Sequence, residues 1–425
     1  MLNRTLTPIL KAIESFQIPM PELHIMPNNM ELYTINMGDT DVLRIDLLFA
    51  SGKWDQNKNL SATFANTMMK EGAGNLSSKN IAEHLDYYGA WLQNSVTQHN
   101  SYLTLYILNK HIVELLPLLN SIVKEPSFPI NEFNTFIQRQ KQQFKIDAEK
   151  VEQLCHKASM KQLYGDMHPY GNQAIEVDFD LITPTDLRDF HTQHYHSQNC
   201  KIMLTGKLTE HNKQLIIDQF GVADWGKTTA KQTFDFSIPS STNKYVKIEK
   251  KDAVQSAIRI ATPCIDRAHS DYQGLKVLNT VFGGYFGSRL MKSIREEKGY
   301  TYGIGSSIST QAKGSTLSIS TQTGSEYAEP LIEAVFDEMK RLQNKKIGNS
   351  ELACVRNYML GDFTRSFDGP FAIADAHISL LANNLHIDYF ENQIETIRKI
   401  DAITIQNLAQ EYLNKDQFYI AIAGK

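Results

Sequence analysis

Thr183-Pro-Thr-Asp-Leu through Tyr195, followed by Cys200-Lys-Ile-Met-Leu-Thr-Gly206-Lys207, reads as a capped amphipathic helix running into a short apolar strand that ends in Gly-Lys. The chain closes on the same pattern, with Ile403-Thr-Ile-Gln-Asn-Leu through Tyr412 leading to Phe418-Tyr-Ile-Ala-Ile-Ala-Gly424-Lys425. The interval between the two endings, roughly 210 to 220 residues, points to duplication of a whole domain rather than to a solenoid of short repeats.

The openings of the two halves agree as well. Val42-Leu-Arg-Ile-Asp-Leu-Leu-Phe-Ala and Gln255-Ser-Ala-Ile-Arg-Ile-Ala both alternate like half-buried strands. A helix follows each, over 59–70 and 271–282, and each ends at a glycine turn, Gly72-Ala-Gly74 and Gly283-Gly284-Tyr-Phe-Gly287. Next come helix 79–88 and strand 90–96 in the first half, against helix 289–298 and strand 302–309 in the second. Strand 102–108 then answers to 316–321, and helix 112–123 to 327–342. The order predicts an α+β fold of two homologous domains, each a mostly antiparallel sheet packed by helices on one face. The polar stretch from Lys227 to Lys244 is the natural linker, which sets a boundary near residue 235 and domains at 1–235 and 236–425.

Composition narrows the function classes. A chain of 425 residues with 42% hydrophobic and 21% charged residues has the make-up of a globular protein with more than one core. A net charge of -4 and a pI near 6.4 leave no electrostatic footprint for nucleic acid or an anionic membrane. Cys155, Cys200, Cys264 and Cys354 are scattered with no CxxC pair, so reduced thiols and a cytoplasmic location are expected. The N-terminus does not read as a secretory signal, and no window reaches the roughly 18 apolar residues of a membrane span.

One segment carries chemistry. Ser288-Arg-Leu-Met-Lys-Ser-Ile-Arg295-Glu-Glu-Lys-Gly299-Tyr-Thr-Tyr302-Gly sets a cation and a phenol seven residues apart across a helix-to-strand turn, with Gly299 as the helix stop. An Arg and a Tyr hydroxyl converging there can donate to a peptide carbonyl or to the oxyanion formed when an amide is attacked. The plainer reading is an arginine completing a helix end and a tyrosine packing on a sheet.

Over nearly its whole length the chain resembles the pitrilysin and mitochondrial processing peptidase family of zinc proteases with the inverted HxxEH motif, in its two-domain form. The residues that carry the resemblance are Gly-Gly-Tyr-Phe-Gly-Ser-Arg-Leu at 283–290, Arg-Glu-Glu-Lys-Gly-Tyr-Thr-Tyr-Gly at 295–303, Leu-Tyr-Gly-Asp-Met-His-Pro-Tyr-Gly at 163–171, and the repeated Gly-Lys strand ends. Active members place two zinc-binding His and a general-base Glu on the first-half helix just before the glycine turn. Counting back from Gly72, the matching positions here are Thr63, Phe64, Ala65, Asn66 and Thr67. The third ligand, a Glu expected roughly 75 residues downstream, falls at Gln142-Gln-Phe144. Hydroxyls and amides are poor ligands for zinc, so the resemblance implies no metal in this chain.

Arg295 and Tyr302, by contrast, match the pair that active members contribute across the chamber from the metal. The resemblance therefore implies a half-chamber: the zinc-free subunit of a heterodimeric metallopeptidase, inactive alone, whose Arg295 and Tyr302 bind peptide and act in trans on a homologous HxxEH-bearing partner that holds the zinc. A catalytically inactive structural homologue, like the core proteins of the same family, is the alternative, though a scaffold has no use for both residues. An autonomous hydrolase lacks a recognisable nucleophile motif.

Other clusters are weaker. His191, His194 and His196 are the most tempting metal set, but no carboxylate base sits beside them. His84 and His168 read as structural, and Gly283-Gly284 as a close backbone approach rather than a phosphate cradle, since no GK[ST] follows. Strand Leu92 to Gln98 is a candidate peptide-docking edge.

Overall fold

The computed structural model describes residues 17–227 and 243–425. The expected boundary near 235 and most of the linker around it lie outside the described residues. Five strands of the first half form a sheet with β8 of its closing unit: β1 (Glu22–Ile25), β2 (Glu31–Asn36), β3 (Val42–Phe49), β6 (Trp91–Val96), β7 (Ser101–Leu108) and β8 (Cys200–Gly206), in the order β1-β2-β8-β3-β7-β6. A two-residue ribbon, β4 (Gly72–Ala73) and β5 (Leu76–Ser77), lies apart. The second sheet holds β9 (Tyr245–Glu249), β10 (Ser256–Cys264), β11 (Thr301–Gln311), β12 (Gly314–Thr323) and β13 (Tyr419–Gly424), in the order β11-β12-β10-β13-β9.

The two sheets match strand for strand once β1 is set aside. β2 runs parallel to β8, which pairs antiparallel with β3, β3 with β7 and β7 with β6. β9 likewise runs parallel to β13, followed by antiparallel pairs to β10, β12 and β11. One parallel pair in each sheet accounts for the "mostly". Both closing helices carry the expected caps: Thr183 accepts from the Asp186 N–H with Pro184 at the first turn, and Asp401 accepts from the Thr404 N–H.

One face of each sheet is packed by helices of its own half, around Leu43, Ile45, Leu47 and Phe49 in the first and Ile258, Ile260, Leu317 and Ile319 in the second. On its other face each sheet also receives a helix from the opposite half. Helix Pro370–Ala382 crosses to the first sheet, where Ile373 and Ala374 cluster with Ile35 and Met203. Helix Val151–Tyr164 crosses to the second sheet, where Cys155 packs on Ala257, Ala421 and Ala423. This cover is why β3, which reads as half-buried, is buried on both faces.

A buried ion pair marks the first crossing. The Arg44 guanidinium meets Asp46 at 2.8 Å and Asp375 of the crossing helix at 2.6 Å, donates to the Phe371 carbonyl, and lies over the Tyr106 ring. The Asp46 carboxylate also accepts from Thr104 at 2.7 Å. The pair costs desolvation, but removing one member strands the other charge in the interior. Arg44→Met should therefore destabilise the chain by about 3–5 kcal/mol in urea titrations. Arg44→Met combined with Asp46→Leu should recover most of that loss. Asp375, whose side chain is largely exposed, should cost no more than about 1 kcal/mol as Asn.

Candidate functional site

Arg295 and Tyr302 are brought together, though not as two side chains converging. The run Met291–Glu297 winds as a π-helix where a regular helical turn is expected, and Gly299, at φ +67°, stops it. Strand β11 then begins irregularly. Thr301 pairs with Thr323 and Ile304 with Thr321, so one extra residue is squeezed into β11 and Tyr302-Gly303 forms a β-bulge. Two threonines clamp it. The Thr301 hydroxyl accepts from the Gly303 N–H at 3.1 Å and donates to the Gln322 carbonyl at 2.6 Å, while the Thr321 hydroxyl donates to the Gly303 carbonyl at 2.8 Å.

Arg295 holds the other side of the bulge. Its Nε–H donates to the Tyr302 carbonyl at 3.0 Å, and its guanidinium lies 5.0 Å from the centre of the Phe286 ring. Its η nitrogens make no hydrogen bond among the described residues, and the nearest carboxylate oxygen, on Glu296, is 3.9 Å away. The Tyr302 side chain projects from the sheet edge with the residue 92% exposed and no hydrogen-bond partner among the described residues. An exposed phenol on a pinned backbone, beside an arginine with free donors, can present two N–H/O–H groups to an oxygen that arrives from outside.

The first-half helix Ser61–Met68 carries the degenerate motif. The Thr67 hydroxyl donates back to the Thr63 carbonyl at 2.8 Å, a bond internal to the helix. Asn66 is fully buried, and its amide donates to the Tyr195 hydroxyl at 3.0 Å. Next to it Phe64 packs edge-on against Phe136 and near Phe179, and Phe179 meets Phe144 from the Gln142–Phe144 segment. Aromatic rings, hydroxyls and an amide thus stand where a zinc site would need imidazoles and carboxylates, and these residues do not fit the metal. Among the described residues no group of three or more His, Cys, Asp and Glu side chains is placed to hold one.

The histidine cluster is built into the packing. His191 is buried, bonds the Val123 carbonyl through Nε2 at 2.8 Å and stacks on Tyr195 at 5.0 Å, and burial pushes its pKa down to about 4. His194 lies on Phe190, and burial also lowers His196. His84 packs on Tyr88 at the C-terminal cap of its own helix. His168 accepts the Tyr170 N–H through Nδ1 and sits among Trp54, Tyr164 and Tyr170. That cluster ties the halves together, since Tyr164 bonds Thr316 at 2.6 Å and Tyr170 accepts from the Lys313 N–H at 3.0 Å. A Cβ on Gly283 would lie 2.6 Å from Ser306 Oγ, so this glycine is the close backbone approach expected of it. The candidate docking strand is observed as β6, an outer edge of its sheet.

Residues of a further cleft escaped the sequence. Arg259, on β10, and His156, on the helix that crosses from the first half, line the same hollow as Tyr302. The signal in the residues is an arginine inside the apolar alternation Ser-Ala-Ile-Arg-Ile-Ala; His156 lies on a helix whose packing partner is distant in sequence.

Two open sheets, each covered on one face by a helix from the opposite half, and a tyrosine presented on a β-bulge are the features to set beside known proteins. Residues 181–359 match the family described as the peptidase M16 inactive domain. Curated relatives include an uncharacterized zinc protease, YmxG, of Bacillus subtilis, 22% identical over 83% of this chain and 85% of its own. Another is the non-peptidase homolog YmxG of Helicobacter pylori, 24% identical over 75% of this chain and 74% of its own. The fold is that of the crystal structure of a peptidase M16 inactive domain from Pseudomonas fluorescens, at TM-score 0.85 and 23% identity over 95% of this chain and 98% of that one. A protease from Helicobacter pylori superposes at TM-score 0.88 and 15% identity over 96% of this chain and all of its own. Residues 181–359 are thus similar to the peptidase M16 inactive domain, and most of the chain is similar to relatives named as zinc proteases or as a non-peptidase homolog. No helix among the described residues is long and apolar enough to cross a membrane.

Two outcomes follow from the site. Zinc titration followed by mild chelation should leave no stoichiometric metal on the purified chain; one retained equivalent would contradict the donor chemistry of Thr63, Asn66 and Thr67. For His191, the pKa is lower in the folded state, so the unfolded chain takes up its proton first as pH falls. The His191 contribution to stability should be fully present above about pH 6.5 and decline toward pH 4, by roughly 3 kcal/mol in all. Comparing unfolding free energy against pH for the native chain and His191→Gln should show that part of the slope disappear.

Proposed function

We propose that this chain is the zinc-free subunit of a heterodimeric metallopeptidase that cleaves peptides, and that it presents Tyr302 and Arg295 in trans to a homologous partner bearing HxxEH and the zinc. The observation that carries the reading is the bulge. Three separate side chains, Thr301, Thr321 and Arg295, hold the backbone at Tyr302-Gly303 in an irregular shape whose effect is to send one phenol outward. Bulges of this kind re-aim a side chain next to active sites.

In the assembly, the metal in the partner would supply the polarised water, and this chain would supply donors. The Tyr302 hydroxyl donates to the oxygen that gains charge as the peptide carbonyl is attacked. The Arg295 Nε keeps the Tyr302 carbonyl, and with it the phenol, in place. Its η nitrogens take a second substrate carbonyl. The matching strand orders of the two sheets and the matching helix-strand endings support two homologous domains arising by duplication, with the boundary near 235. Four cysteines without disulfides accord with a cytoplasmic assembly. A structural role without catalysis is the second reading, favoured by the name of the Helicobacter pylori relative, a non-peptidase homolog.

Kinetics of the reconstituted pair separate the two. Tyr302→Phe should lower kcat by roughly 10²- to 10³-fold with no change in Tm or in assembly. Arg295→Lys, which keeps the charge but lacks the Nε donor, should also lose rate because the bulge is no longer held. Unchanged turnover in Tyr302→Phe would leave the chain a scaffold.

A further inference from the structure

The hollow next to Tyr302 has a charge that no carboxylate among the described residues pairs with. It lies on the second face of the second sheet, where the crossing helix Val151–Tyr164 packs over β9, β10 and β13. Under the helix the sheet offers alanines, Ala257, Ala421 and Ala423. Beyond them, toward the β11 edge, it offers Arg259, Ser318, Ser320 and Gln322, all on one face by the period of the strands. The Arg259 Nη2 donates to Ser318 at 3.1 Å and Nη1 to Ser320 at 3.4 Å, while its Nε is buried without a hydrogen bond. No carboxylate lies within 4.0 Å of the guanidinium among the described residues; Glu152 lines the same hollow but forms no ion pair with it. Neither other neighbour is a counter-ion: an imidazole such as His156 has no anionic form near neutral pH, burial and then Arg259 only disfavouring its cation, and burial pushes the Cys155 thiol up to about 12, away from the thiolate.

The first sheet shows what is missing. There Asp46 pairs with Met203 and Thr104, and in the second sheet Arg259 pairs with Ala421 and Ser320. Counted from the residue before each closing glycine, Thr205 faces Arg44 and Ala423 faces Ala257. Arg259 therefore occupies the place of Asp46, and Ala257 the place of Arg44, the residue that neutralises it. One sheet completes its charge internally. The other keeps a partly buried cation with an alanine where the counter-ion would stand.

We infer that the Arg259 hollow is a carboxylate-binding subsite, and that the peptide lying across Tyr302 places an acidic side chain or its own C-terminal carboxylate there. A guanidinium held edge-on by two serine hydroxyls keeps N–H groups for a planar, acceptor-only ligand, which a carboxylate matches in two parallel bonds. A cation already stripped of part of its water, and with no counter-ion among the described residues, gains more from such a ligand than a surface lysine does. The inference rests on the reading of Tyr302 as substrate-facing, and its test does not need the partner or zinc.

The test is binding to the isolated full-length chain, read by fluorescence anisotropy with three labelled peptides of one sequence. One carries an internal Glu and an amidated end, one a Gln and a free C-terminus, one a Gln and an amidated end. At least one of the two carboxylate peptides should bind tenfold or more tightly than the neutral one, and which of them does so identifies the source. Arg259→Gln should remove the difference and leave neutral-peptide binding unchanged. Arg259→Lys should keep part of it, which also covers the case in which the Gln variant folds poorly. Equal binding of all three peptides to the native chain overturns the inference, as does a preference that survives in Arg259→Gln. Displacement by inorganic phosphate but not by acetate overturns it in favour of a phosphate site. Carboxylate selection combined with full turnover in Tyr302→Phe would keep this subsite and remove the catalytic reading.

Discussion

A β-sheet with two buried faces needs cover on both, and this chain provides the second cover only by exchanging helices between its halves. Ala257, Ala421 and Ala423 are small because helix Val151–Tyr164 lies on them, and Arg44 and Asp46 can sit inside because helix Pro370–Ala382 brings Asp375 and the Phe371 carbonyl to them. Neither sheet is complete without the other half. The site inherits this arrangement, because the helix that seals the centre of the second sheet stops short of its β11 side and leaves the hollow beside Tyr302.

The chemistry on that edge is a matter of backbone shape more than of side-chain meeting. Arg295 and Tyr302 are joined through a carbonyl, and the phenol is free because the bulge turns it out. In the first half the positions that the resemblance aligns with HxxEH are taken up by packing: Phe64, Phe136, Phe144 and Phe179 cluster beside that helix, and Asn66 is tied to Tyr195. The first half thus offers no metal-ligating set at these positions, while the second presents a constrained, outward-facing phenol beside an arginine.

Much of this was legible in the residues. Apolar alternation and glycine stops located β3, β6, β7, β8 and β10 to β13, and the capped amphipathic pattern located both closing helices to within a residue or two. Three things were not. Helices Ile130–Ala148, Asn349–Arg365 and Asp388–Lys399 are long and largely polar with few buried positions, and Val151–Tyr164 and Pro370–Ala382 pack on opposite-half sheets, so their apolar faces point to partners distant in sequence. The π-helical turn at Met291–Glu297 has the same composition as an α-helix. The bulge depends on threonine hydroxyls from two strands, Thr301 and Thr321, which single-strand periodicity cannot reveal. Arg295 and Tyr302 are therefore nameable as a candidate pair from the residues alone, while their geometry and the uncompensated charge of Arg259 are not.

The central claim is that this chain contributes to peptide cleavage only alongside a homologous chain that carries the zinc motif. Native mass spectrometry of this chain mixed with such a homologue, followed by peptide-cleavage assays on each separated species, tests it directly. The account predicts a one-to-one complex holding a single zinc, with cleavage in that species and none in this chain alone. Failure of the two chains to associate, or cleavage by this chain alone that survives exhaustive chelation, would contradict it.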